Sequence, residues 1–449
     1  MKIALLPFYL ELYDQVKPEI RDKMQAFAQQ VCEQLRGLGF EVKLAPICRV
    51  ESEFIAAVES IEQEQCRVIC TLHLAYSPSL ESAAVLAKSK LPLVLLDTSP
   101  SAKFDERQPD AIMLNHGIHG VQDLCNLLLR HDKPFLLLAG HWQSQKFLQE
   151  ARKSILAAGM QSRLCGMRIG NVGGQFEGMG DFQFEAGSFG LQLCSYQEQA
   201  EPSESEIEAE IAADLQRYQP SDSLNREALR RSVKAGLKLR RWLESEKLEA
   251  FTVCFPGITK SQGWDTVPFL ECSKAMSRGL GYAGEGDLLT AGVNRCLAEV
   301  FPETSFSEMF CPDWQGQRIF TSHMAEINTS LCVEKALLHE MQYGYSDTCN
   351  PVIATGCFKP GQALIVNLAP GAQGQFSLIA AEVEFLPEEN PGNPTANRGW
   401  FRPLNATVEG FLCRYSEVGG THHLAVCYGG EPEIMQKWAK LMKWKYNKI

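Results

Sequence analysis

The chain has 449 residues, 45% of them apolar and 22% charged, with a net charge of −11. That length exceeds one ordinary core and calls for two or three domains. The ordinary composition fits a soluble globular enzyme, while the acidic balance argues against a nucleic-acid partner, and no apolar stretch is long enough to span a membrane.

The first third alternates short apolar runs with amphipathic ones. Strands are expected at 2–9, 40–46, 67–73, 92–97 and 134–139, and helices at 18–38, 51–63 and 79–88. Near-continuous apolar strands separated by helices imply a parallel sheet covered on both faces. In such sheets ligands sit beyond the carboxyl ends of strands, which draws attention to Tyr9, His73 and Gly140-His141-Trp142. The opening Met1-Lys2-Ile3-Ala4-Leu5-Leu6 reads as the first strand rather than as a leader. The 16 cysteines are spread singly with no Cys-x-x-Cys pair, as befits buried reduced thiols in a cytoplasmic protein.

A second unit begins near Leu164. A strand there runs into the glycine-rich stretch Gly170 to Asp181, which lacks both the dinucleotide fingerprint and the Gly-Lys-Ser/Thr of a phosphate loop. Helices are expected at 203–217 and 224–247, a strand at 251–255, and helices at 267–279 and 286–300. The charge run Glu201, Glu204, Glu206, Glu208, Glu210 reads as a solvated helix face. Beyond Pro302 short strands separated by Gly and Pro take over, at 318–321, 351–357, 362–368, 376–383, 411–415 and 423–427. This is the pattern of an antiparallel sheet or barrel. A helix at 432–445 closes the chain. The expected fold is α/β: two parallel-sheet, Rossmann-like domains (1–163 and 164–302) followed by a β-rich domain (303–449).

Four residues of the second half carry chemistry: Glu285, Glu308, His323 and His423. Two carboxylates and two imidazoles form a mixed oxygen and nitrogen donor set suited to a divalent ion such as Mn²⁺. Each residue also has a plain structural reading. Glu285, between two glycines at a helix start, could serve only as a cap, and Glu308 could lie on a surface loop. In the pair His422-His423, strand alternation turns adjacent side chains to opposite faces, so one of the two is expected to reach a given ion.

The settings of these residues are Gly284-Glu285-Gly286-Asp287, Thr304-Ser305-Phe306-Ser307-Glu308, Ser322-His323-Met324-Ala325-Glu326 and Gly419-Gly420-Thr421-His422-His423. In this order and spacing they resemble the L-arabinose isomerase family, within the group that includes L-fucose isomerases. Collinear matches continue upstream: His73 with Ser77-Pro78, Asn115, His119-Gly120, Gly140-His141-Trp142-Gln143, Arg168 with Gly170, and Ala250-Phe251-Thr252 with Phe255. The resemblance implies Mn²⁺ held at Glu285, Glu308, His323 and His423. It implies a trimer-based homo-oligomer, trimer or hexamer, with the active site at a subunit interface, His119 offered by a neighbour, and Phe255 packed near the sugar. It also implies aldose–ketose isomerisation of a monosaccharide through an enediolate. Glu308 is then the favoured base and Glu285 the carrier of the hydroxyl proton, with the reverse assignment and a metal-assisted hydride shift both open.

Departures from the family pattern leave the sugar open. Glu-Asp-Tyr becomes Glu308-Met309-Phe310, and the N-terminal Gly-Ser-Gln-His-Leu-Tyr is replaced around Tyr9 and Leu10. Tyr9, Leu10 and Phe310 therefore join Phe255 and His119 as candidate sugar contacts. Losing polar partners in a pocket changes which hydroxyls it accepts. The other reading is a sugar-binding or regulatory paralogue that has lost turnover.

Overall fold

The computed structural model describes residues 1–388 and 393–449. These fall into two compact units, Met1–Arg163 with Glu433–Trp444, and Leu164–Pro432 with Lys445–Ile449.

The first unit holds strands β1 (Lys2–Phe8), β2 (Glu41–Leu44), β3 (Ile69–His73), β4 (Leu93–Asp97) and β5 (Phe135–Ala139). All pair in parallel, in the order β2-β1-β3-β4-β5. Leu6, Phe8, Phe54, Ile69, Leu95 and Leu124 form its buried core. Parallel strands need crossovers, and the helices Glu19–Gly37, Glu51–Gln63, Ala83–Lys88 and Ile118–Arg130 supply them. The strand order reverses direction between β1 and β3, so the carboxyl ends of those strands frame the crevice where ligands gather in open α/β sheets. Tyr9 and His73 stand there.

The second unit begins with β6 (Arg168–Val172), β7 (Gln192–Ser195), β8 (Gln219–Pro220), β9 (Ala250–Val253) and β10 (Gly281–Gly284). Four of these make a parallel sheet in the order β10-β9-β6-β7. At Gly281 the following helix, Leu288–Val300, comes so close that an added Cβ would lie 2.2 Å from the Ala291 carbonyl oxygen. Backbone cannot yield as a side chain does, so Gly281→Ala should cost about 1–3 kcal/mol. A fall of a few degrees in melting temperature by circular dichroism is the expected result, and an unchanged transition would refute the packing argument.

The remaining strands are β11 (Thr304–Asp313), β12 (Arg318–Ser322), β13 (Leu337–Glu340), β14 (Val352–Thr355), β15 (Gly361–Pro370), β16 (Phe376–Phe385), β17 (Gly399–Pro403), β18 (His423–Tyr428) and β19 (Lys445–Lys448). Six of them run β15-β18-β11-β12-β17-β16 and close by pairing β16 back to β15, giving an antiparallel barrel with β19 added in parallel on β16. Closure removes the open edges a sheet would otherwise expose. Ile319, Ile365, Val383, Phe385, Phe401 and Val426 fill the core. The α/β class with two parallel sheets and a C-terminal barrel is as expected from the sequence.

Three local expectations need correction. Residues 411–415 are helical, within Val408–Glu417, because Thr407 caps the helix through the Gly410 N–H and Val408, Phe411 and Tyr415 recur at helical spacing on the buried side. The terminal helix ends at Met442 rather than 445, and Lys445–Lys448 becomes β19. The run 304–313, not foreseen as a strand, is β11: its buried Ser305 and Ser307 find hydrogen-bond partners, so their polarity does not break it.

Candidate metal and active site

The barrel brings three of the candidate residues to one level. In the register of β11, Glu308 stands directly opposite His423 on β18 and opposite Ser322 on β12, with His323 following Ser322. Directly opposed residues of an antiparallel pair project to the same face. A register shift between Met309 and Cys311 then bends β11, as bulges do when they re-aim a strand. Phe310 falls at that bulge and is 52% exposed.

The fourth residue comes from the end of β10. Glu285 adopts a left-handed backbone, φ 62°, between Gly284 and Gly286. A non-glycine residue there is strained by about 1–2 kcal/mol. The turn is held by Glu285 N–H to the Val253 carbonyl (2.9 Å), Gly286 N–H to Thr252 Oγ1 (2.9 Å) and Phe176 N–H to the Glu285 carbonyl (3.0 Å). The cap of the next helix is Asp287, which accepts from Thr290 N–H, so the capping role considered for Glu285 belongs to its neighbour and the Glu285 side chain is free for the site.

Glu285, Glu308, His422 and His423 offer ligand atoms that all lie within 4.8 Å of one another. His423 Nε2 is 3.0 Å from Glu308 Oε1 and 3.3 Å from Glu285 Oε2, and His422 Nε2 is 3.7 and 3.9 Å from the same two oxygens. Both imidazoles thus reach the carboxylates, against the expectation that one would turn away. The reason is that β18 starts at His423, so His422 lies outside the strand and escapes its alternation. His323 is buried beside the four: its ring fits against Gly284, where a Cβ would meet Nε2 at 2.9 Å, and Phe306 presents its edge to both His323 and His423.

Each imidazole is oriented from behind by a carboxylate: His423 Nδ1 by Asp287 Oδ2 (2.9 Å), His323 Nδ1 by Glu326 Oε2 (2.7 Å) and His422 Nδ1 by Asp181 Oδ2 (2.6 Å). An ionised carboxylate only accepts, so each Nδ1 carries a proton and each Nε2 is turned to the other side. Such backing fixes the tautomer of metal-ligating histidines. Asp287 and Glu326 sit two and three residues after Glu285 and His323, a spacing visible in the sequence but not singled out there. Asp181, 241 residues from His422, gave no such signal.

Charge is not balanced in this pocket. Burial alone would raise the Glu285 carboxyl, but contact with His422 and His423 outweighs it and holds the group at about 2. Glu308 is likewise pushed up by burial and brought below its ordinary value by His323 and His423. Burial would lower the His423 pKa, yet Asp287, Glu285 and Glu308 together hold it well above the usual imidazole range. Glu285 Oε2 and His423 Nε2 are both buried and make no hydrogen bond. Three carboxylates around one ring, with unpartnered donor atoms between them, suit a cation, since buried like charges are costly unless neutralised.

The candidate sugar contacts are dispersed. Phe255 is buried in the turn after β9, against Phe176 and Tyr345, and its carbonyl accepts from the Tyr343 hydroxyl. Tyr9, Leu10 and His119 belong to the first unit. There Tyr9 is fully buried with Arg21 over its ring, and the first turn of the helix that carries His119 packs on His73, where Gly117 and Gly120 permit the approach.

Two family models match the chain, the L-arabinose isomerase central domain over residues 173–301 and the L-arabinose isomerase C-terminal domain over residues 303–445. Among curated proteins, L-arabinose isomerase 1 of Bacillus licheniformis is 26% identical over 85% of this chain and 80% of its own length. L-arabinose isomerase of Serratia proteamaculans is 25% identical over 94% and 89%, and that of Thermotoga neapolitana 23% identical over 90% and 85%.

Proposed function

The chain belongs to the L-arabinose isomerase-like family, and from that premise we propose that its convergent carboxylates and imidazoles hold a divalent cation, Mn²⁺ by preference, and interconvert an aldose with its ketose by proton transfer. It is an aldose–ketose isomerase. The observation that supports the metal is His423, whose Nδ1 is bound to Asp287 while its buried Nε2 faces two carboxylates without a hydrogen bond. Glu285, Glu308, His423 and His323 are the proposed ligands, with His422 a fifth donor turned to the same carboxylates.

Bound there, the cation would polarise two adjacent sugar oxygens and offset the negative charge that develops on them. The chain's own residues supply the rest. Glu308 takes the proton from one carbon and returns it to its neighbour. Glu285 carries the proton between the two hydroxyl oxygens. The rings of Phe306 and Phe182 beside His423 keep water from the back of the site. Phe255 packs on the sugar and His119 is offered by a neighbouring subunit of a trimer-based oligomer, with Tyr9, Leu10 and Phe310 as the further candidate contacts. Three domains, 1–163, 164–302 and 303–449, divide these tasks.

The test is a panel of pentoses, deoxyhexoses and branched aldoses followed by NMR in D₂O with Mn²⁺ present. One aldose should equilibrate with its ketose and gain deuterium at C1 or C2. Chelation should stop the conversion and Mn²⁺ restore it. No conversion of any sugar by metal-loaded protein would point instead to a sugar-binding paralogue. Because metal must displace the proton that Asp287, Glu285 and Glu308 hold on His423, Mn²⁺ affinity should fall as pH falls.

A further inference from the structure

The glycine-rich segment 174–182 touches the site at three places. Asp181 Oδ2 accepts from the His422 backbone N–H (3.1 Å) and from His422 Nδ1 (2.6 Å). The buried Phe182 ring lies 4.9 Å from the His423 ring at an interplanar angle of 9°, a stacked pair, and 5.9 Å from His422. Phe176 N–H binds the Glu285 carbonyl, and Gly286 leaves room for Gln175 and Gly174, whose atoms a Cβ would meet at 2.6 and 2.7 Å. His422 lies outside β18 and has no ladder to hold it. The Asp181 carboxylate is therefore what sets both its backbone and its ring.

From this we infer that Asp181 is a positioning residue that acts through His422, and that with Phe182 it makes segment 174–182 a structural part of the metal site. With Nδ1–H committed to Asp181, a neutral His422 presents its Nε2 lone pair toward Glu308 and Glu285. Without that anchor the ring is free to turn, and the segment loses its tie to the barrel. The inference rests on the metal reading proposed above for the effect on affinity, but not for the docking of the segment.

Two measurements on Asp181→Asn separate these layers. In calorimetric titration of the full chain with Mn²⁺, Asp181→Asn should weaken binding by about ten- to a hundredfold. The same change introduced beside His422→Gln should have little further effect, because the residue through which it acts is gone. Wild-type affinity in Asp181→Asn, or an undiminished loss in the His422→Gln background, would overturn the inference. In metal-free protein, Asp181→Asn should speed amide hydrogen exchange across 174–182 and at His422, with the exchange of β15 and β16 unchanged as a check on folding. Unaltered exchange at 174–182 would also overturn it. If the wild type binds no Mn²⁺, the metal reading fails by the titration, and the docking of the segment is still decided by the exchange.

Discussion

Glu308→Gln should lower kcat by roughly a hundred- to ten-thousandfold while the protein keeps its metal. The carboxamide preserves an oxygen that can ligate but cannot accept a proton at neutral pH. Glu308 is suited to that work by its place: it sits on a central barrel strand, nearly buried, with its backbone carbonyl taking a hydrogen bond from Thr321 Oγ1 at 2.6 Å. Its side chain is therefore held on the His423 side rather than free to wander. Metal content by plasma emission alongside turnover decides the outcome. If turnover survives in Glu308→Gln and collapses in Glu285→Gln, the two glutamates have exchanged roles.

The largest expected effect on stability lies elsewhere in the second unit. Lys274 is buried and donates to Asp214, itself fully buried, at 2.7 and 3.0 Å, and also pairs with Glu210. Arg240 links Glu210 to the buried Glu271 through hydrogen bonds of 2.7–3.1 Å, and Arg278 reaches Glu271 as well. The network joins the helices Glu204–Arg217, Arg226–Ser245 and Phe269–Ser277. Lys274→Met removes one partner and leaves Asp214 without its cation, a loss of about 3–5 kcal/mol in comparable buried pairs. Denaturant unfolding should show the unfolding free energy falling by that amount, with the midpoint moving to lower denaturant. Asp214 is already raised by burial even with Lys274 present, so the variant should recover part of its stability in mild acid, where the carboxyl protonates. Wild-type stability in Lys274→Met would mean that the network contributes nothing net.

How much of this was legible in the sequence depended on what held each element in place. The five strands of the first sheet are apolar runs bounded by helices, and they emerge within a few residues of the expected bounds. Strand β11 is hidden because Ser305, Ser307 and Glu308 are polar; Ser305 is satisfied by the Asn328 N–H and Ser307 by Thr321 and Ser322, while Glu308 stands opposite His423, partners that only the folded domain assembles. Five residues cannot distinguish alternation from helical spacing, so 411–415 reads as a strand in isolation, and Thr407, which decides the matter, lies outside them. At the site, Glu285, Glu308 and His423 could be named from local motifs. His422 could not, because its use depends on where a strand begins, and that is set by pairing across β11 and β15 rather than by its own neighbours.

The path of the chain between its two units carries a consequence for synthesis. The helix Pro432–Met442 falls almost wholly in the first unit, while Lys445–Ile449 returns to the second. Its Lys437 pairs with Glu150 at 3.0 Å and its Lys440 lies over the ring of Phe135 on β5. A ribosome therefore releases residues 1–163 long before the piece that finishes their packing, and β19, the strand added to the barrel at β16, emerges later still. Both units wait for the same stretch, residues 433–449, so a stop codon ahead of it damages the two together.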